Sequence, residues 1–142
     1  MAPDLSQRLA DEAAIRDLIV RIGMVRSLGT PDEYAALFTK DARWERVPGP
    51  DGEPNIQGVE DELARARANQ AAGLSGPGSH AHHAIPMTMA TVDGDRASAV
   101  SQLFYIQNAD TEPKIAKMWI LRDDLVRTPE GWRVSHRRLQ RP

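Results

Sequence analysis

The apolar pattern changes period along this chain, and that change constrains the fold more than any other feature. From about Leu5 to Ser27 the apolar residues Leu9, Ile15, Leu18, Ile19, Ile22 and Val25 fall on one helical stripe. Such a stripe makes an amphipathic helix that buries one face. Gly29 stops it, and Thr30-Pro31-Asp32-Glu33 reads as a capping box with proline in the first turn. A short second helix, Pro31 to Phe38, is expected to bury Tyr34, Leu37 and Phe38. From Asp41 the residues alternate instead, Ala42, Trp44 and Arg46 against Arg43, Glu45 and Val47. This is a strand, ended by Pro48-Gly49-Pro50-Asp51-Gly52, which cannot continue a ladder. Gly58 to Ala72 returns to a helix rich in alanine, leucine and paired charges.

After a glycine-rich loop that ends in Ser79-His80-Ala81-His82-His83, alternation takes over. Ile85 to Val92 runs into Asp93-Gly94-Asp95, a strong hairpin signal, and Ala97 to Gln107 returns. Asn108 to Pro113 turns the chain again, and Lys114 to Arg127 and Trp132 to Leu139 flank the turn Thr128-Pro129-Glu130-Gly131. Helices in front and antiparallel strands behind imply an α+β fold in which helices cover one face of a single sheet. A twisted sheet wrapped on helices leaves a concave side where a pocket forms. At 142 residues, one domain spanning 1–142 is expected.

Composition removes several functions. The chain has no cysteine, so thiolate ligands, disulfides and cysteine nucleophiles are out. Its net charge of −2, with bases and acids interleaved, gives no stripe for nucleic acid. No apolar run is long enough for a membrane helix, and Met1 to Glu12 has no signal-peptide core, so cytoplasmic residence is the expectation.

Three of the four histidines crowd into residues 80–83. On an extended chain His80 and His82 face one way and His83 the other, and no acid shares their loop. No metal site is expected from that arrangement. His136 shares the parity of Trp132 and Val134 and is expected to pack with them, opposite Arg137. Trp44 and Glu45 cannot both face inward, and Trp44 is expected inside.

The order of elements, with Ala13-Ala14-Ile15-Arg16-Asp17-Leu18-Ile19, Tyr34-Ala35-Ala36-Leu37-Phe38-Thr39-Lys40-Asp41-Ala42-Arg43-Trp44, His83 ten residues before Asp93-Gly94-Asp95-Arg96-Ala97, and Leu125-Val126-Arg127 before Gly131-Trp132-Arg133-Val134, resembles the SnoaL-like branch of the nuclear-transport-factor-2-like superfamily. The resemblance implies a cone-shaped α+β barrel, three N-terminal helices on a strongly curved, mostly antiparallel sheet. It also implies a pocket in which His83 acts as acid or base, the alternative being a neutral core histidine. Relatives pair that histidine with an aspartate near the end of the first helix and often a tyrosine earlier. Here Ser27 and Ile22 stand at those positions, and Asp17 is the nearest acid on that helix.

Tyr105 or Ser101 could polarise a substrate oxygen, with Trp44, Phe104, Met118 and Ile22 as substrate contacts. Met87 and Met89 could join Met118 in a soft apolar wall. The expected function is a cofactor-independent lyase or isomerase acting on a small apolar, aromatic, terpenoid or polyketide-type molecule. The alternative is a non-catalytic binding or assembly domain on the same fold. A third reading, an epoxide hydrolase relative, needs two carboxylates bridged by arginine, for which Asp17, Asp41 and Glu45 are the candidates. The resemblance implies a homo-oligomer, dimer or trimer.

Overall fold

A computed structural model describes residues 4–47 and 55–142. Its elements are α1 (Leu5–Leu28), α2 (Pro31–Ala35), β1 (Phe38–Val47), β2 (Asn55–Gln57), α3 (Val59–Ala71), β3 (His82–Ala84), β4 (Thr88–Asp93), β5 (Arg96–Gln107), β6 (Lys114–Thr128) and β7 (Gly131–Gln140). The strands run in the order β2-β1-β7-β6-β5-β3, and β4 pairs with β5 beyond β3 along the same edge. The pairing of β1 with β7 is parallel and every other pairing is antiparallel, so the curved sheet is mixed and its ends do not meet.

The helices cover the concave face. Asp4 caps α1 by accepting from the N–H of Gln7, and Ile15, Leu18, Ile19 and Ile22 turn inward. They meet Ala99, Leu121, Leu125 and Val134 of the sheet in one core. Each such side chain contributes about 1.5–3 kcal/mol on burial. Thr30 and Glu33 form the expected capping box. The helix it starts ends earlier than expected, at Ala35. Phe38 already belongs to β1, and the N–H of Val134 donates to the carbonyl of Leu37. The turn expected at 48–52 lies outside the described residues.

Two local irregularities decide which side chains face inward. The strand expected from Ile85 to Val92 is broken into β3 and β4, because Pro86 has no N–H to give the ladder. The register steps by one across the break, from Ala84 opposite Phe104 to Thr88 opposite Ser101. On β7, Val134 pairs with Leu125 and His136 with Asp124, leaving Ser135 as an extra residue. That bulge reverses the alternation. Arg137 therefore turns inward to a buried pair with Asp123, at 2.8 and 2.9 Å. His136 turns out to meet Glu45 at 3.1 Å, which corrects the expectation from its parity with Val134.

At the far end of the sheet, Asp11 of α1 takes both terminal nitrogens of Arg127 at 2.8 Å and the indole N–H of Trp132 at 3.3 Å. This clasp ties the first helix to the β6–β7 turn.

Candidate functional site

Between α1, α3 and the concave face lies a cavity of about 300 Å³. Of the residues expected at a site, Ile22, Trp44, His83 and Tyr105 line it. Trp44 is fully buried, as expected, and Glu45 faces the other way with His136 and Arg138. Four others do not reach it. Asp17 is exposed on α1 and bonded to Arg21 at 2.9 Å, because it falls out of phase with Ile15, Leu18 and Ile22. Ser101 is buried against the hydroxyl of Thr88 at 3.0 Å. Phe104 and Met118 pair across β5 and β6 on the convex face, since their neighbours Leu103 and Trp119 take the concave one. Met87 and Met89 are exposed, so no methionine wall forms.

His83 is placed by its backbone. Its N–H donates to Ser27 Oγ at 2.8 Å, and that hydroxyl donates to the carbonyl of Gly23 at 2.8 Å. Ser27 thus holds the strand and leaves the ring without a carboxylate partner. Buried Nδ1 has no hydrogen bond, and the imidazole sits 5.0 Å from the Tyr105 ring. Burial, then the charge of Arg26, then His82, push its pKa down to about 3. At neutral pH it is an uncharged imidazole. The hydroxyl of Tyr105 donates to the carbonyl of Leu74, so it is committed to the loop that follows α3.

The polar centre of the cavity went unread in the sequence. Glu62 of α3, 3% exposed, accepts from the Tyr34 hydroxyl at 3.2 Å and from Arg46 at 3.0 Å. The indole of Trp44 donates to the same tyrosine oxygen at 3.2 Å. Burial and then the charge of Glu62 hold the Tyr34 phenol above its ordinary range, so it remains protonated. Arg26 stacks over the ring of Tyr34 at 5.1 Å. A signal existed in α3, where Glu62 and Ala66 lie one turn apart on the inward face. On an alanine-rich helix full of charges, that carboxylate looks solvated.

Asp41 is exposed and bonded to Thr39. Among the described residues the cavity wall holds one carboxylate, Glu62, and not the bridged pair that the epoxide-hydrolase reading needs.

The family profile of the SnoaL-like domain matches residues 7–138. No curated protein matches the chain. Among solved structures it is similar to an NTF2-like protein with a cystatin-like fold from Novosphingobium aromaticivorans. That match has 22% identity and a TM-score of 0.70, covering 99% of this chain and 91% of the other. A second protein of that organism, provisionally described as the beta subunit of an aromatic-ring-hydroxylating dioxygenase, matches at 22% identity and TM-score 0.69. It covers 96% of this chain and 91% of its own. Aln2 from a Streptomyces species matches at 19% identity and TM-score 0.69, covering 99% of this chain and 94% of its own. At these identities the likeness is one of fold.

Proposed function

The chain belongs to the SnoaL-like domain family, and from that premise we propose that its cavity carries out a cofactor-independent proton transfer, of the isomerase or lyase type, on a small ring-bearing molecule. The observation that supports this is the placement of the His83 imidazole on the wall of a cavity lined by Trp44, Trp119, Leu103 and Tyr105; its lowered pKa leaves it free of a proton but a weak base until the neighbouring positive charge is offset. In this reading the unprotonated imidazole takes a proton from a carbon beside a carbonyl. The guanidinium of Arg46 or Arg26 faces the charge that develops on oxygen. The imidazolium then returns the proton to another carbon, which completes an isomerisation with no net loss of atoms. The arginines take the part that a tyrosine or serine hydroxyl would otherwise play.

A second reading, a binding or assembly domain without catalysis, draws support from the ring of His83 lacking an acid partner. One experiment separates the two. Ring ketones such as 2-tetralone and cyclohex-2-enone are incubated with the protein in D₂O, and deuterium uptake is followed by NMR. Catalysis predicts exchange well above the solvent rate, falling about 100-fold in His83→Asn. Equal exchange in both proteins would leave the binding reading. We further propose that chains associate through the convex sheet face that carries Phe104 and Met118.

A further inference from the structure

The chain is acidic overall, yet its cavity is not. Among the described residues five cationic side chains line it, Arg26, Arg46, Arg65, Lys117 and Arg137, against the single carboxylate of Glu62. Glu62 answers Arg46 at 3.0 Å, and Asp123, behind the wall, answers Arg137 at 2.8 Å. Arg26, Arg65 and Lys117 have no acidic partner among the described residues. Arg65 and Lys117 stand exposed at the rim and Arg26 is half-buried. Like charges gathered around one concavity repel one another through whatever screening the solvent leaves, and an anion relieves that repulsion. We propose that the ligand of this cavity is a small ring-bearing carboxylate, its charged group received by Arg26 and Arg65 and its ring lying against Trp44 and Trp119.

This rests on the reading of the cavity as a ligand site and adds the ligand's charge. The electrostatics of two neighbouring groups bear on it. Desolvation first and the nearness of Arg46 second lower the pKa of Arg65, while Glu62 acts the other way. Arg26 is also the largest charge acting against protonation of His83, so an anion beside Arg26 makes that imidazole a stronger base. Binding and base strength are then linked through one arginine.

The test compares 1-naphthoate with its uncharged counterpart 1-naphthamide by isothermal titration calorimetry. Wild type, Arg65→Gln and Arg26→Gln are each measured at low salt and at 0.5 M NaCl, with thermal unfolding to show that the variants fold. The expected result is naphthoate at least about tenfold tighter than naphthamide, an advantage reduced by either substitution and by salt. Naphthamide binding as tightly as naphthoate would overturn the carboxylate inference and leave the cavity a ligand site. No heat from either compound at millimolar concentration, with all three proteins folded, would overturn both.

Discussion

Ser27 Oγ accepts the backbone N–H of His83 at 2.8 Å, fastening the last turn of α1 to β3 across the mouth of the sheet. The resemblance implies an aspartate at this position in relatives, one that steers the imidazole; this chain has serine there. The residue present steers the strand. Ser27→Ala leaves a buried N–H without its acceptor, and we expect a loss of about 1–3 kcal/mol in chemical denaturation. An unchanged midpoint would mean that water replaces the hydroxyl.

Gly23, one turn earlier, lets the two elements approach. A Cβ built there lies 2.5 Å from the carbonyl oxygen of His83, a backbone atom that cannot swing aside. Gly23→Ala should therefore displace β3 and lower stability by about 1–3 kcal/mol. Chemical-shift changes at His83 and Ile85 in a backbone NMR spectrum would report the displacement. Shifts confined to residue 23 and its helical neighbours would refute it.

His83 makes stability depend on pH. The folded chain keeps the ring unprotonated down to about pH 3, whereas the unfolded chain binds a proton near 6.5. Its contribution is therefore complete above 6.5 and is lost as pH falls, by up to about 1.4 kcal/mol per unit. His83→Asn does not titrate. The unfolding free energy of the native chain should fall by roughly 2 kcal/mol more than that of the variant between pH 7 and pH 5. Parallel curves over that range would mean that the ring is solvated.

Asp123 and Arg137 form a pair whose side chains are 0% and 3% exposed. Asp123→Asn strands the guanidinium beneath the cavity, and we expect a loss of about 3–5 kcal/mol by urea denaturation. The double replacement Asp123→Leu with Arg137→Met should recover much of that loss, because no charge is then left buried. A double variant as unstable as the single one would point to a packing role for these side chains.

The periodicities made the order of helices and strands legible and placed Trp44 and Tyr105 inward, while Ile22 and His83 came from the resemblance; all four line the cavity. What escaped has local causes. One extra residue at Ser135 exchanges the roles of His136 and Arg137 and leaves no mark on the alternation of residue types. Pro86 signals a break, but not how β3 and β4 share one edge of β5. Glu62 is hidden by its company, since only tertiary contact separates a carboxylate serving Tyr34 and Arg46 from its solvated neighbours Glu60 and Asp61.

The parallel pairing of β1 with β7 joins residues 38–47 to residues 134–140, about two thirds of the chain apart. The meander of β4 to β7 can assemble from neighbours in sequence, but β1 must wait for the last strand to be made. Such distant closure is slow, since the entropy of a long loop is lost before any contact returns it. Trp44 and Arg46 ride on that strand, and Arg137 sits on its partner. The side of the cavity built on β1 and β7 is therefore expected to form after the side built on β3, β5 and β6, and a nascent chain short of β7 leaves Trp44 without the strand that β1 pairs with.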